Sequence, residues 1–188
     1  MKRLFVAIKI EPKNSMSETY MSIRETYRNE KIRWIEPDKF HLTLKFLGDT
    51  YVDSIPIVID VIESVFSTQS SFNIDIANTG IFGSRYDPRV IWFGIQNSAN
   101  LVGLAGDLVE ELDLAGFKKD RQNFVPHLTI GRIKQIRDKK WFNEQLLKYR
   151  EVFMQTTKVD KIILYESILT KQGPIYKEIN TTMLKALP

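Results

Sequence analysis

The sequence predicts an α+β fold built around a duplicated unit, and three observations carry that prediction. Segments of strand character and of helical spacing are mixed, without the strict alternation of a doubly wound sheet. Phe40-His41-Leu42-Thr43-Leu44 reappears as Pro126-His127-Leu128-Thr129-Ile130 almost half a chain length later, and internal similarity of this kind marks a repeated structural unit. No low-complexity tract, Gly/Ser linker or long charge block divides the 188 residues, so residues 1–188 are expected to form a single domain.

The elements follow in order. Arg3 to Ile10 is rich in Val, Ile and Phe and reads as a strand. Ser15-Met16-Ser17-Glu18 has the spacing of a capping box, and Tyr20, Ile23 and Tyr27 then recur at helical intervals. Phe40 to Leu47 reads as a strand closed by Gly48-Asp49. A second helix follows Asp53, with Ile55, Ile59, Ile62 and Phe66 along one face. Phe72–Ile81 and Val90–Gln96 are two strands, their connection marked by Gly80, Gly83 and Pro88. Leu101 to Leu114 is a helix with Leu101, Leu104, Leu108 and Leu112 on one stripe and Gly116 placed to end it. Val125 to Ile133 is a strand, Trp141–Tyr149 a short helix, and Lys158–Thr170 with Ile175–Met183 a hairpin joined through Gln172-Gly173-Pro174.

Composition removes several classes of function. There is no cysteine, which excludes disulfides, thiolate metal sites and a cysteine nucleophile. The basic opening Met1-Lys2-Arg3 is followed by an apolar run that Lys9 interrupts, too short for an export core. No stretch approaches the roughly 20 apolar residues of a membrane helix. The expected location is the cytoplasm, with no membrane partner. A formal charge of +4 permits contact with a few phosphates without the dense basic stripe of a duplex binder.

The two histidines of the chain both lie in His-Leu-Thr-aliphatic. Strand side chains alternate between faces, so His41 and Thr43 share one face while Leu42 and Leu44 take the other. The same holds for His127 and Thr129 against Leu128 and Ile130. If a pseudo-twofold relates the repeats, two imidazoles and two hydroxyls meet across a groove. That set suits a phosphodiester. One imidazole takes a proton from water and the other protonates the departing oxygen, while the hydroxyls bind the non-bridging oxygens.

A lone histidine in an apolar strand is usually structural, but packing does not require His-x-Thr twice. A zinc site needs three or four protein ligands, and two histidines without cysteine reach three only by recruiting a carboxylate. No Gly-x-Ser-x-Gly elbow, Walker loop or dinucleotide pattern occurs. The residues therefore favour a metal-independent reaction over a zinc site.

These motifs resemble those of the 2H phosphoesterase superfamily, whose signature is a pair of His-x-Thr/Ser-x segments. The chain is most similar to its branch of RNA 2′,3′-cyclic phosphodiesterases, also called 2′-5′ RNA ligases. The similarity extends from Arg3-Leu4-Phe5-Val6-Ala7-Ile8 and Trp34, through Phe40 to Gly48, Pro88-Arg89-Val90-Ile91-Trp92 and Phe124 to Arg132, to Leu164-Tyr165-Glu166-Ser167 and Gly173-Pro174 with Tyr176. The resemblance implies two pseudo-symmetric lobes, each an antiparallel sheet with helices outside, and a groove between them. It implies hydrolysis of 2′,3′-cyclic phosphate ends to 2′-phosphomonoesters on RNA ends or cyclic nucleotides, with no cofactor. No obligate protein partner is evident in the sequence. By analogy His41 protonates the leaving 3′-oxygen, His127 activates water, and Thr43 and Thr129 bind the phosphate.

Several supporting residues carry two readings. Lys45 continues the face of His41 and either reaches a phosphate oxygen or is solvated at a strand end. Strict alternation turns Arg132 away from His127; it joins the site only if Gly131 allows a bulge or the strand ends there. Phe40, Trp34, Phe46 and Tyr176 either stack on a base or belong to the core, and Trp92 is expected in the core. Lys118-Lys119-Asp120-Arg121 is a solvated loop or a rim that attracts RNA. Two other functions fit the same residues: cleavage or joining of 2′-5′ linkages, separable by comparing rates on cyclic-ended RNA and 2′-5′ dinucleotides, and a non-catalytic RNA-end binding module, recognised by tight binding without conversion.

Overall fold

The computed structural model describes residues 1–119, 124–171 and 173–186. Its frame is set by strands that are apolar on both faces. In β1 (Lys2–Lys9) the five residues Leu4 to Ile8 are all buried. Leu4, Val6 and Ile8 enter the main core, while Phe5 and Ala7 enter a second, smaller cluster with Ile163 and Tyr165. A strand with this pattern buries side chains on both of its faces. Helices cover the main-core face here, and the smaller cluster lines the opposite face.

The remaining elements are α1 (Asn14–Thr26), β2 (Lys31–Trp34), β3 (His41–Thr50), α2 (Ile55–Phe66), β4 (Phe72–Ser84), β5 (Asp87–Gln96), α3 (Ala99–Leu114), β6 (His127–Gln135), α4 (Lys139–Leu147), β7 (Phe153–Val159), β8 (Lys161–Thr170) and β9 (Gly173–Met183). The strand order is β7-β4-β5-β6-β3-β1-β8-β9, with β2 on β6, and the pairs between these strands are antiparallel. One residue pair, Leu42 with Leu128, joins β3 to β6. That seam divides the sheet into two lobes, β3-β1-β8-β9 and β7-β4-β5-β6 with β2, and gives the α+β fold its pseudo-symmetry. Ile8 pairs with Leu42 in one lobe as Phe93 pairs with Leu128 in the other. All four side chains are buried in the main core.

The helices pack in two pairs. The Tyr27 hydroxyl donates to the Phe142 carbonyl at 2.8 Å, tying the end of α1 to α4. On the other lobe α2 packs against α3, β8 and β9. No described helix is long and apolar enough to cross a membrane.

Some boundaries differ from the sequence reading. The Ser15–Glu18 capping box does not form. Helix α1 starts at Asn14 behind Lys13 without a side-chain cap, and Gln155 Oε1 instead accepts from the Lys13 backbone N–H at 2.7 Å. Gly48-Asp49 does not end β3, which continues to Thr50 against β1. Gly48, at φ 71°, takes the backbone turn within the strand. The sequence reading missed β2 and β7. The first spans four residues. The second, Phe-Met-Gln-Thr-Thr-Lys-Val, carries exposed polar side chains at an edge of the sheet.

Candidate active site

Each histidine opens its strand, and each is fixed in the same way by the residues just before it. His41 Nδ1 donates to the Lys39 carbonyl at 2.7 Å, and His127 Nδ1 donates to the Val125 carbonyl at 2.7 Å. A carbonyl only accepts, so the Nδ1 proton is fixed in both rings and Nε2 is the nitrogen left for chemistry.

The seam brings these rings together. Leu42 and Leu128 face each other and point into the core, so the flanking residues of both strands point to the other face. His41 and Thr43 flank Leu42 on β3, and His127 and Thr129 flank Leu128 on β6. The two histidines therefore lie on the same face, on opposite sides of the Leu42–Leu128 pair. All four side chains line one cleft of about 210 Å³.

A bulge in each strand sets the rest of the site. Val6 pairs with Lys45 and Ala7 with Thr43, leaving Leu44 as the extra residue of β3. Ile91 pairs with Gly131 and Trp92 with Thr129, leaving Ile130 as the extra residue of β6. A bulge resets the alternation. Lys45 therefore turns off the face of His41: it is 2% exposed, and its Nζ donates to the Lys118 carbonyl at 2.9 Å. The reading of Lys45 as a phosphate contact or a solvated lysine is corrected on that ground. The same reset returns Arg132 to the face of His127 and Thr129, and Arg132 lines the cleft. The bulge residue is Ile130. Gly131 contributes by its size, since a Cβ there would sit 3.0 Å from Ile32 and 3.1 Å from Trp34.

Aromatic rings wall the histidines. Phe5 and Tyr176 lie with ring centroids 5.1 and 5.0 Å from His41, and Phe82 meets His127 edge-on at 4.6 Å. Of the four stacking candidates, Phe46 and Tyr176 line the cleft. Phe40 is buried in the main core and Trp34 packs against it. Trp92 is placed differently from the sequence reading. Phe93, its neighbour, points to the core, so Trp92 shares the face of its pair Thr129 and packs on Phe82 at 5.6 Å. Sequence reasoning missed Phe5 and Phe82 as walls of the site, because only the strand register puts them beside the histidines. In the loop before β6, Asp120 and Arg121 lie outside the described residues, while Lys119 pairs with Asp113 at 3.8 Å.

Burial sets the electrostatics. It pushes the His41 imidazole below its ordinary pKa, and the nearby charges of Arg132 and His127 push the same way, against the Lys39 hydrogen bond. His127 is likewise lowered by burial and by Arg132, against the Val125 hydrogen bond. Burial raises the Tyr176 hydroxyl, opposed by Arg132 and Arg33. Arg132 is thus felt by both imidazoles and by the tyrosine. Among the described residues no three His, Asp or Glu side chains gather in a metal-binding cluster.

A family described as LigT like Phosphoesterase matches the chain over residues 7–92 and 94–176. The RNA 2′,3′-cyclic phosphodiesterase of Methanocaldococcus jannaschii is 36% identical over 177 residues, covering 94% of this chain and 98% of that protein. The RNA 2′,3′-cyclic phosphodiesterase of Aquifex aeolicus is 40% identical over 146 residues, 77% of each chain. The crystal structure of E. coli LigT in apo form shares the fold, with a TM-score of 0.73 at 21% identity over 98% of both chains.

Proposed function

The chain belongs to the LigT-like phosphoesterases, and from that membership we propose that it hydrolyses the 2′,3′-cyclic phosphate of RNA ends to a 2′-phosphomonoester. One observation carries the site assignment: two imidazoles with the same fixed Nδ1 proton share a cleft with two threonines and Arg132. His127 Nε2 takes a proton as water attacks phosphorus, and the new P–O bond forms opposite the 3′-oxygen. The P–O3′ bond breaks while protonated His41 gives its Nε2 proton to that oxygen. Thr43 and Thr129 donate to the non-bridging oxygens, and Arg132 offsets their charge as it grows in the transition state. The direction of the two proton transfers follows the family resemblance.

The test is incubation with 2′,3′-cyclic nucleotides in excess chelator, followed by identification of the monophosphate isomer. Turnover that persists in chelator and yields the 2′-phosphate is expected. Exclusive 3′-phosphate, or activity abolished by the chelator and restored by added metal, contradicts the proposal.

A pH profile tests the two-imidazole assignment. The productive free enzyme has one ring charged and one neutral, so kcat/KM follows a bell. Because both pKa values are lowered from 6.5, the charged acid is lost as pH rises through a value below 6.5, and the apex lies on the acid side of that value. Arg132→Gln removes one cause of both shifts and moves the bell to higher pH while raising KM. An apex above pH 7 in the unmodified protein contradicts the assignment.

A further inference from the structure

We propose that Arg33 and Arg132 form a two-phosphate anion site, in which Arg132 serves the reacting cyclic phosphate and Arg33 takes the adjoining phosphodiester of an RNA chain. The inference rests on the proposed hydrolysis and deepens it, because it selects a chain end over a free cyclic nucleotide as the preferred substrate.

Arg33 of β2 is paired directly with Arg132 of β6. Paired residues of antiparallel strands point to the same face, so Arg33 shares the cleft face with Arg132. Ile35, two residues beyond Arg33, lines the cleft itself. Two positive charges directly opposite each other destabilise a sheet, and among the described residues no carboxylate pairs with either arginine. An arrangement of that kind is relieved by an anion.

The reach of Arg33 fits a second phosphate. Its guanidinium extends from β2 to the opposite lobe, where a side chain at Gly173 would collide with it. Its charge is felt by Tyr176 but is not among the charges that shift either histidine, whereas Arg132 acts on all three groups. Arg132 lines the cleft at the histidines, and the Arg33 guanidinium lies farther out, at Gly173 where β9 begins. Arginine holds phosphate through two parallel hydrogen bonds, so each serves one phosphate with its own geometry.

The test compares a 2′,3′-cyclic mononucleotide with a dinucleotide that ends in the same cyclic phosphate, and with that dinucleotide carrying an uncharged methylphosphonate linkage. The unmodified protein is expected to favour the charged dinucleotide and to lose that advantage with the methylphosphonate. Arg33→Gln is expected to lower kcat/KM on the charged dinucleotide at least ~10-fold more than on the mononucleotide, as loss of a charge-assisted phosphate contact implies. Arg33→Lys recovers part of the difference. The magnitude of the logarithmic salt slope on the dinucleotide falls by about 0.7 in Arg33→Gln, the increment for one single-strand phosphate contact.

Equal losses on both substrates, or none on either, overturn the subsite. Where Arg33→Gln does not fold, indifference of the unmodified protein to the methylphosphonate overturns it alone. An unmodified protein that converts neither substrate overturns the proposed hydrolysis and the subsite together.

Discussion

Replacing His41 or His127 with Ala is expected to lower kcat/KM on 2′,3′-cyclic nucleotides at least ~100-fold, the lower bound for losing a positioned proton donor or acceptor. The double variant is expected to fall little further, because the two rings act as one unit and neither transfer is productive alone. Stability isolates the chemistry from the fold. Each ring gives the backbone one hydrogen bond, so its removal costs about 1 kcal/mol of folding free energy. Asn sharpens the comparison, since its side-chain N–H substitutes for Nδ1 toward the same carbonyl while Nε2 is lost. His41→Asn and His127→Asn variants that melt near the unmodified protein yet remain ~100-fold slower support the assignment. Either variant retaining more than a tenth of the activity removes that histidine from the mechanism.

The second large effect lies beneath the site. Leu42→Ala or Leu128→Ala is expected to cost about 2–5 kcal/mol, the range for truncating a buried leucine. Both residues are fully buried and are the pair that joins β3 to β6. The double variant should show a coupling of at least ~0.5 kcal/mol, as contacting residues do. Denaturant unfolding of the two single variants and the double supplies the whole cycle. A cost below about 1 kcal/mol for either single change would mean that the seam is held elsewhere. Activity should suffer as well, since both histidines are adjacent in sequence to this pair.

Much of this arrangement was legible in the sequence because it follows from local rules. The His-Leu-Thr repeat placed the imidazole and hydroxyl together and the leucine opposite, and His41, Thr43, His127 and Thr129 do line one cleft. Helix α3 appeared in its leucine stripe, ended by Gly116 at φ 93°. Non-local pairing stayed hidden. Alternation alone assigned Lys45 to the wrong face and left Arg132 open, because a bulge is defined by the partner strand. Trp92, Phe5 and Phe82 were misjudged or missed for the same reason. Arg33 could be recognised only once β2 was seen beside β6. The Ser15–Glu18 pattern was sound local chemistry that a distant glutamine displaced.

The matched bulges also expose where the two repeats stop being equivalent. Up to the threonines, each half offers the reacting centre the same groups in the same posture, and nothing in them tells forward from backward. Five positions past each histidine the likeness ends: one half supplies the ring of Phe46 and the other the cation of Arg132, both bordering the same cleft. A ribonucleotide is itself lopsided, with a flat base on one side and charged oxygens on the other. Seated in this cleft, it would meet a ring on one side and a cation on the other.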